Sequence, residues 1–131
     1  MDDAPSDGAV PAAGTVQISA QELSKATVEL AVAGELDLAT APQLKWRLHD
    51  ALQHGYANLV VNLDKVGFID STALSVLVGF VHRLPPGHSL ALACVSGRVL
   101  RTIEIAGLDS AFMIMPSVDA ARTALEDGTR R

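Results

Sequence analysis

The sequence predicts an α/β fold: a single domain built on one mixed, mostly parallel sheet of about five strands with about four helices packed against it. Three observations carry this. Apolar patterns of period two and period 3.6 alternate along the chain in the order β-β-α-β-α-β-α-β-α. The run Leu59-Val60-Val61-Asn62-Leu63 is β-prone without polar alternation, as in a strand covered on both faces. The chain has 131 residues, 49% of them apolar, which suits one core better than two. Aromatic residues are only 4%, so that core is made of Leu, Val, Ile and Ala.

Residues 1–14 contain Asp2, Asp3 and Asp7 with prolines and glycines and no apolar period, the composition of a flexible leader. Val16 and Ile18 predict a short strand, and the polar stretch from Ala20 to Lys25 turns the chain back into a hairpin. Val28, Leu30 and Val32 alternate around Glu29, giving a half-buried strand that Gly34 ends. Thr40-Ala41-Pro42-Gln43 opens the first helix. Thr40 and Gln43 have capping-box spacing, and Pro42 falls in the first turn, where its missing N–H costs little. Leu44, Leu48, Ala51 and Leu52 form the inward stripe, and Gly55 closes the helix.

After the buried strand, a second helix is expected from Ser71 to Leu84, stopped by Pro85-Pro86-Gly87. Leu90, Leu92 and Cys94 alternate on the next strand, with Cys94 a small buried residue in its middle. Ser96-Gly97 opens a third helix with Val99, Leu100 and Ile103 inward, closed by Gly107. Phe112 to Met115 is a short strand, and Ser117 caps a last helix carrying Val118, Ala121 and Leu125. The folded domain is expected over residues 15–127, with 128–131 a frayed C-terminus.

Composition narrows the function. Fifteen acids against ten bases give a net charge of −5, which repels phosphate backbones, so no direct nucleic-acid partner is expected. Cys94 is the only cysteine and has no partner for a disulfide or a thiolate metal site. His49, His54, His82 and His88 are scattered, so neither a metal nor a cofactor is expected. No apolar run approaches about 18 residues, so no membrane span is expected. Met1-Asp2-Asp3 lacks the basic start of a secretory signal, and the expected location is cytoplasmic.

The informative stretch is Val66-Gly67-Phe68-Ile69-Asp70-Ser71-Thr72-Ala73-Leu74. It follows the buried strand and opens a helix for which Asp70 or Ser71 is a natural N-cap. Free N–H groups and the positive end of the macrodipole lie there, so a hydroxyl at Ser71 sits where an added phosphate is accommodated. Along the helix, Leu74, Leu77, Val78 and Val81 share one face, with Ala73, Val76 and Phe80 beside it. Phe80 is expected to be buried. Ser75 and Gly79 lie on the remaining side and allow another backbone to approach.

Ser71 has no nucleophile elbow, since its neighbours are Ile69, Asp70, Thr72 and Ala73. The chain contains neither a Walker phosphate loop nor a G-x-G-x-x-G turn. Glu35 and Asp37 are read as loop caps rather than a carboxylate pair. No catalytic residues are therefore assigned, and an enzyme is not expected. Trp46 and Arg47 are possible contact residues on the first helix.

Three segments together resemble the STAS domain family, and within it the bacterial anti-sigma factor antagonists. They are Gly34-Glu35-Leu36-Asp37-Leu38-Ala39-Thr40-Ala41-Pro42, Val60-Val61-Asn62-Leu63 leading to Phe68-Ile69-Asp70-Ser71-Thr72-Ala73-Leu74, and Ile105-Ala106-Gly107-Leu108. The resemblance covers roughly residues 16 to 126. It implies a STAS domain that, when unphosphorylated, binds a partner-switching anti-sigma factor, a serine kinase of the histidine-kinase-like ATPase fold, and so frees a sigma factor. It also implies that phosphorylation of Ser71 switches the domain off, with Thr72 the lesser candidate, and that a serine phosphatase reverses the step. The partner face is expected to comprise Asp37, Asp70, Ser71, Thr72, Ala73, Ser75, Val76 and Gly79.

Two departures stand out from the family pattern. Ala73 occupies a position where glycine is usual, and its methyl is expected to crowd a partner. The Pro85-Pro86-Gly87 link is shorter than the basic loop often found there. The alternative expectation is a STAS scaffold, ligand-binding or transporter-associated subunit not controlled by phosphorylation.

Overall fold

The computed structural model describes residues 15–127; the expected leader and frayed C-terminus lie outside the described residues. The first two strands, β1 (Val16–Glu22) and β2 (Thr27–Leu36), pair antiparallel from Val16 opposite Gly34 to Glu22 opposite Val28. The helix α1 (Ala41–Gln53) then leads to β3 (Asn58–Ile69), and α2 (Ser71–His82) to β4 (Ser89–Ala93). After α3 (Gly97–Ile105) and a 3-10 turn (Asp109–Ala111) come β5 (Met113–Met115) and α4 (Val118–Glu126). The sheet order is β1-β2-β3-β4-β5, and every pair after the first is parallel. The expected mixed sheet and element order are both present.

Crossovers of one hand that all step in the same direction place their helices on one face of the sheet. The burial agrees. Leu44 and Leu48 of α1, Leu74 and Leu77 of α2, and Val99 and Ile103 of α3 share one core with Leu30, Leu59, Val61, Leu63 and Leu92. The other face carries α4, the only helix there among the described residues, where Ala121 and Leu125 pack on Val60, Ala91 and Ala93. The central strand is therefore buried on both sides, as its unbroken apolar run predicts.

Several local expectations are corrected. Gly34 does not end β2, which runs on to Leu36. Gly34 has φ +117° and sits where the β2–β3 register shifts, so it bends the strand instead. A Cβ there would lie 2.4 Å from the Thr15 carbonyl oxygen, a close approach that requires glycine. Thr40 is the N-cap residue of α1, but the capping box does not form. The Thr40 hydroxyl donates to the Glu35 carbonyl at 2.8 Å, and the Gln43 side chain donates to the Val16 carbonyl at 3.3 Å. Tertiary acceptors outcompete the local ones.

Cys94 lies just beyond β4 rather than within it, half-buried, with φ +60°. Partial burial and the nearby Asp64 carboxylate raise its thiol pKa above the ordinary value. The helix α2 ends at His82, short of Leu84. Its buried residues are Ala73, Leu74, Leu77 and Phe80, whereas Val78 and Val81 are only partly covered. The inward face is rotated from the expected one, with Phe80 buried beside α1, on which α2 packs.

Candidate functional site

The ends of β2 and β3 are neighbours: Leu36 pairs with Ile69, and the Asp70 N–H donates to the Leu36 carbonyl at 2.9 Å. The residues that follow, Asp37 and Asp70, therefore lie at the C-terminal ends of two neighbouring parallel strands, Asp37 opening the loop to α1 and Asp70 passing directly into α2. Asp70 is the N-cap of α2 with extended backbone. Its Oδ1 accepts the Ala73 N–H at 3.1 Å, and its Oδ2 accepts the Leu38 N–H at 3.2 Å. One carboxylate thus starts the helix and holds the preceding loop against it.

Asp37 shapes that loop from within. Its Oδ1 accepts the N–H groups of Ala39 at 3.0 Å and Thr40 at 3.1 Å, an Asx turn closed on itself. The buried Thr40 hydroxyl accepts the Asp37 N–H at 2.9 Å while donating to Glu35. With its polar groups tied inward, the loop presents Leu38 outward at 72% exposure. Phe68, two residues before Asp70, is 48% exposed.

Ser71 is the first residue of α2, exposed, and its hydroxyl has no hydrogen-bond partner among the described residues. The free N–H groups of the first helical turn and the positive helix end favour negative charge at this point, by about 0.3–1 kcal/mol. The adjoining Asp70 carboxylate opposes it. Thr72 is half-buried, Ser75 exposed, and Val76 and Gly79 half-buried. These four lie on the outer side of α2 below Ser71.

Ala73 is placed differently from the expectation. Its side chain is fully buried in the core, and its N–H is taken by Asp70. Its side chain therefore presents no surface on the isolated domain. Leu38 and Phe68 were missing from the expected site. Their sequence signal was available: both are large apolar residues outside the periodic inward pattern, next to the two aspartates. Trp46 is exposed on α1, at 61%. Among the described residues, no cluster of metal-ligating side chains occurs and no helix is long and apolar enough to cross a membrane.

These features define a class: single-domain α/β proteins with a mixed sheet in which exposed polar and apolar side chains gather where β2 and β3 pass into α1 and α2. The chain belongs to the STAS domain family, whose model matches residues 17–121. It is 40% identical over 81 residues to an anti-sigma-B factor antagonist of Staphylococcus aureus, covering 61% of this chain and 75% of that protein. An anti-sigma-B factor antagonist of Bacillus subtilis is 38% identical over 82 residues, covering 62% and 74%. The crystal structure of an anti-sigma factor antagonist from Mycobacterium paratuberculosis superposes with a TM-score of 0.79 at 26% identity, covering 86% of this chain and 96% of that one.

Proposed function

We propose that this protein is an anti-sigma factor antagonist of the STAS family, a regulator without catalytic activity of its own, switched by phosphorylation of Ser71. The observation that carries the reading is the Ser71 hydroxyl: exposed, without a hydrogen-bond partner among the described residues, and set at the start of a helix capped by Asp70, the residue whose carboxylate also holds the loop bearing exposed Leu38. The relatives named as antagonists support the role. The proposed partner is an anti-sigma factor that is also a serine kinase of the histidine-kinase-like ATPase fold. Its capture frees a sigma factor, and a serine phosphatase restores the binding form. The proposed setting is the cytoplasm, and residues 15–127 are proposed as the STAS domain.

The partner face comprises Asp37, Asp70, Ser71, Thr72, Ser75, Val76 and Gly79, now with Leu38 and Phe68 and without Ala73. Exposed apolar side chains beside a modifiable hydroxyl make a surface that is bound dry and is spoiled by about 1.5–2 negative charges. Since Asp70 adjoins Ser71 and already bears negative charge, a phosphate concentrates charge on that face while leaving the core residues untouched.

The experiment is co-purification of the partner from the native cells, followed by phosphosite mapping and affinity measurements with the recovered kinase. Ser71 is expected to be the modified residue. Ser71→Ala is expected to retain binding and lose phosphate incorporation, and Leu38→Ser to weaken binding at least fivefold with the fold intact. Equal affinity of the unmodified and fully phosphorylated protein would overturn the switch.

A further inference from the structure

A groove of about 300 Å³ runs between α1 and α2, lined by Lys45 and His49 from α1 and by Thr72, Ser75, Val76, Phe80 and Arg83 from α2 and its C-cap. We infer that this groove is a binding site for a small organic anion with a planar apolar body, an aromatic carboxylate or its equivalent.

The lining separates two chemistries. The apolar wall is Val76 and Phe80, and the His49 ring meets Phe80 edge-on with centroids 5.4 Å apart at 88°. Two rings fixed at right angles form a corner suited to a flat molecule. Every ionisable group on the lining is of the basic type, and no carboxylate lines the groove. That is unusual on a chain with a net charge of −5. The neighbouring groove between α1 and the β1–β2 hairpin differs: there Arg47 and His54 are accompanied by Glu22 and Asp50.

Lys45 and Arg83 form no ion pair among the described residues. Gly79 makes room for Arg83. A Cβ at Gly79 would lie 3.3 Å from the Arg83 Nη1, so the guanidinium folds back along α2 over the position a side chain would fill. Cations reaching the groove from both helices and a ring corner between them match an anionic head on an apolar body. The volume is at the small end for ligand sites, room for one or two fused rings rather than a peptide.

The groove shares Thr72, Ser75 and Val76 with the proposed partner face, but its test does not rest on the switch, because it uses neither a protein partner nor phosphorylation. Two-dimensional amide NMR of the full chain is followed during titration with 1-naphthoate and, in parallel, with the uncharged 1-naphthamide. Saturable shifts are expected at Lys45, His49, Thr72, Ser75 and Val76 with a dissociation constant of roughly 0.1–1 mM. The amide is expected to bind at least fivefold more weakly. Lys45→Gln with Arg83→Gln is expected to weaken naphthoate binding at least tenfold. Both side chains are exposed, and an unchanged spectrum elsewhere verifies the fold of the double variant. The inference is overturned by any one of three results: no saturable shift at these amides, equal affinity for acid and amide, or undiminished affinity in the double variant.

Discussion

Asp70 joins the β2–α1 loop to the start of α2: its Oδ2 accepts the Leu38 backbone N–H at 3.2 Å while its Oδ1 caps α2 through Ala73. The pairing makes the presentation of an exposed leucine depend on the start of a helix 32 residues further along the chain. Replacement by serine separates the two roles, since a hydroxyl can cap the helix but does not reach both N–H groups at once. Asp70→Ala is expected to cost about 1–2 kcal/mol, the usual effect of losing an N-cap. Asp70→Ser is expected to recover most of that, yet to leave the Leu38 amide exchanging with solvent as fast as in Asp70→Ala. Urea unfolding and amide hydrogen exchange check the two halves, and restored protection at Leu38 in the serine variant would show that the loop is held by something else.

Ala73 offers a second separation. Its methyl is buried and its position is helical, so glycine there loses both helix propensity and apolar burial. Propensity alone is worth about 1 kcal/mol, and a buried methyl adds about 0.8 kcal/mol or more. Ala73→Gly is expected to lower stability by roughly 1.5–2.5 kcal/mol in chemical denaturation while leaving affinity for the partner within twofold. A gain in affinity with little loss of stability would restore the view that this methyl touches the partner.

Much of the fold is legible in the sequence because the signals are local. Asp70, Ser96 and Ser117 each cap the helix that their position predicts, and Ala121 and Leu125 form the buried stripe of α4. The failures have tertiary causes. Thr40 and Gln43 have capping-box spacing, but Gln43 bonds to Val16, 27 residues away, and no local pattern reveals that acceptor. Cys94 fits the strand alternation, yet β4 pairs with β5 only as far as Ala93, and the chain turns at φ +60° on its way to α3. The aspartates and serine of the candidate site were evident from residue type and position. Leu38 and Phe68 carry a weaker signal, a large apolar residue out of step with the inward pattern, and that alone does not say whether another element covers it; the exposure of Leu38 depends on a hydrogen bond from its N–H to Asp70, 32 residues away.

Gly34 is the clearest backbone requirement. Its φ of +117° disfavours any side chain, and a Cβ would collide with a carbonyl oxygen that also accepts the Glu35 N–H at 3.0 Å. Relief requires β1 to move away from β2 at the end where Val16 is packed. Gly34→Ala is expected to destabilise the domain by about 2–4 kcal/mol, combining left-handed strain with displacement of a paired strand. The denaturation midpoint checks it. A loss below about 0.5 kcal/mol, the range of an ordinary surface substitution, would mean the hairpin end yields freely.

Acid sensitivity is expected at the far end of the domain, where Glu126 of α4 reaches the β1–β2 turn. Its carboxylate accepts the hydroxyls of Ser24, at 2.6 Å, and of buried Thr27, and lies 3.3 Å from the Arg122 Nε. The Ser24 hydrogen bond, followed by those from Thr27 and Arg122, holds the Glu126 pKa below its ordinary value of 4.5. A folded-state pKa below the unfolded one means the unfolded chain binds the proton first as pH falls. The stabilisation is therefore complete above the unfolded value, shrinks as pH drops through about 4.5, and is gone below the depressed folded value. Glu126→Gln removes the ionisation and retains an acceptor oxygen. The variant is expected to be less stable than the parent at pH 7, with the difference narrowing toward pH 3 in urea unfolding series. The narrowing follows because protonation makes the parent resemble the variant, whereas parallel pH profiles for the two proteins would mean that these hydroxyls do not discriminate the charged carboxylate from the neutral one.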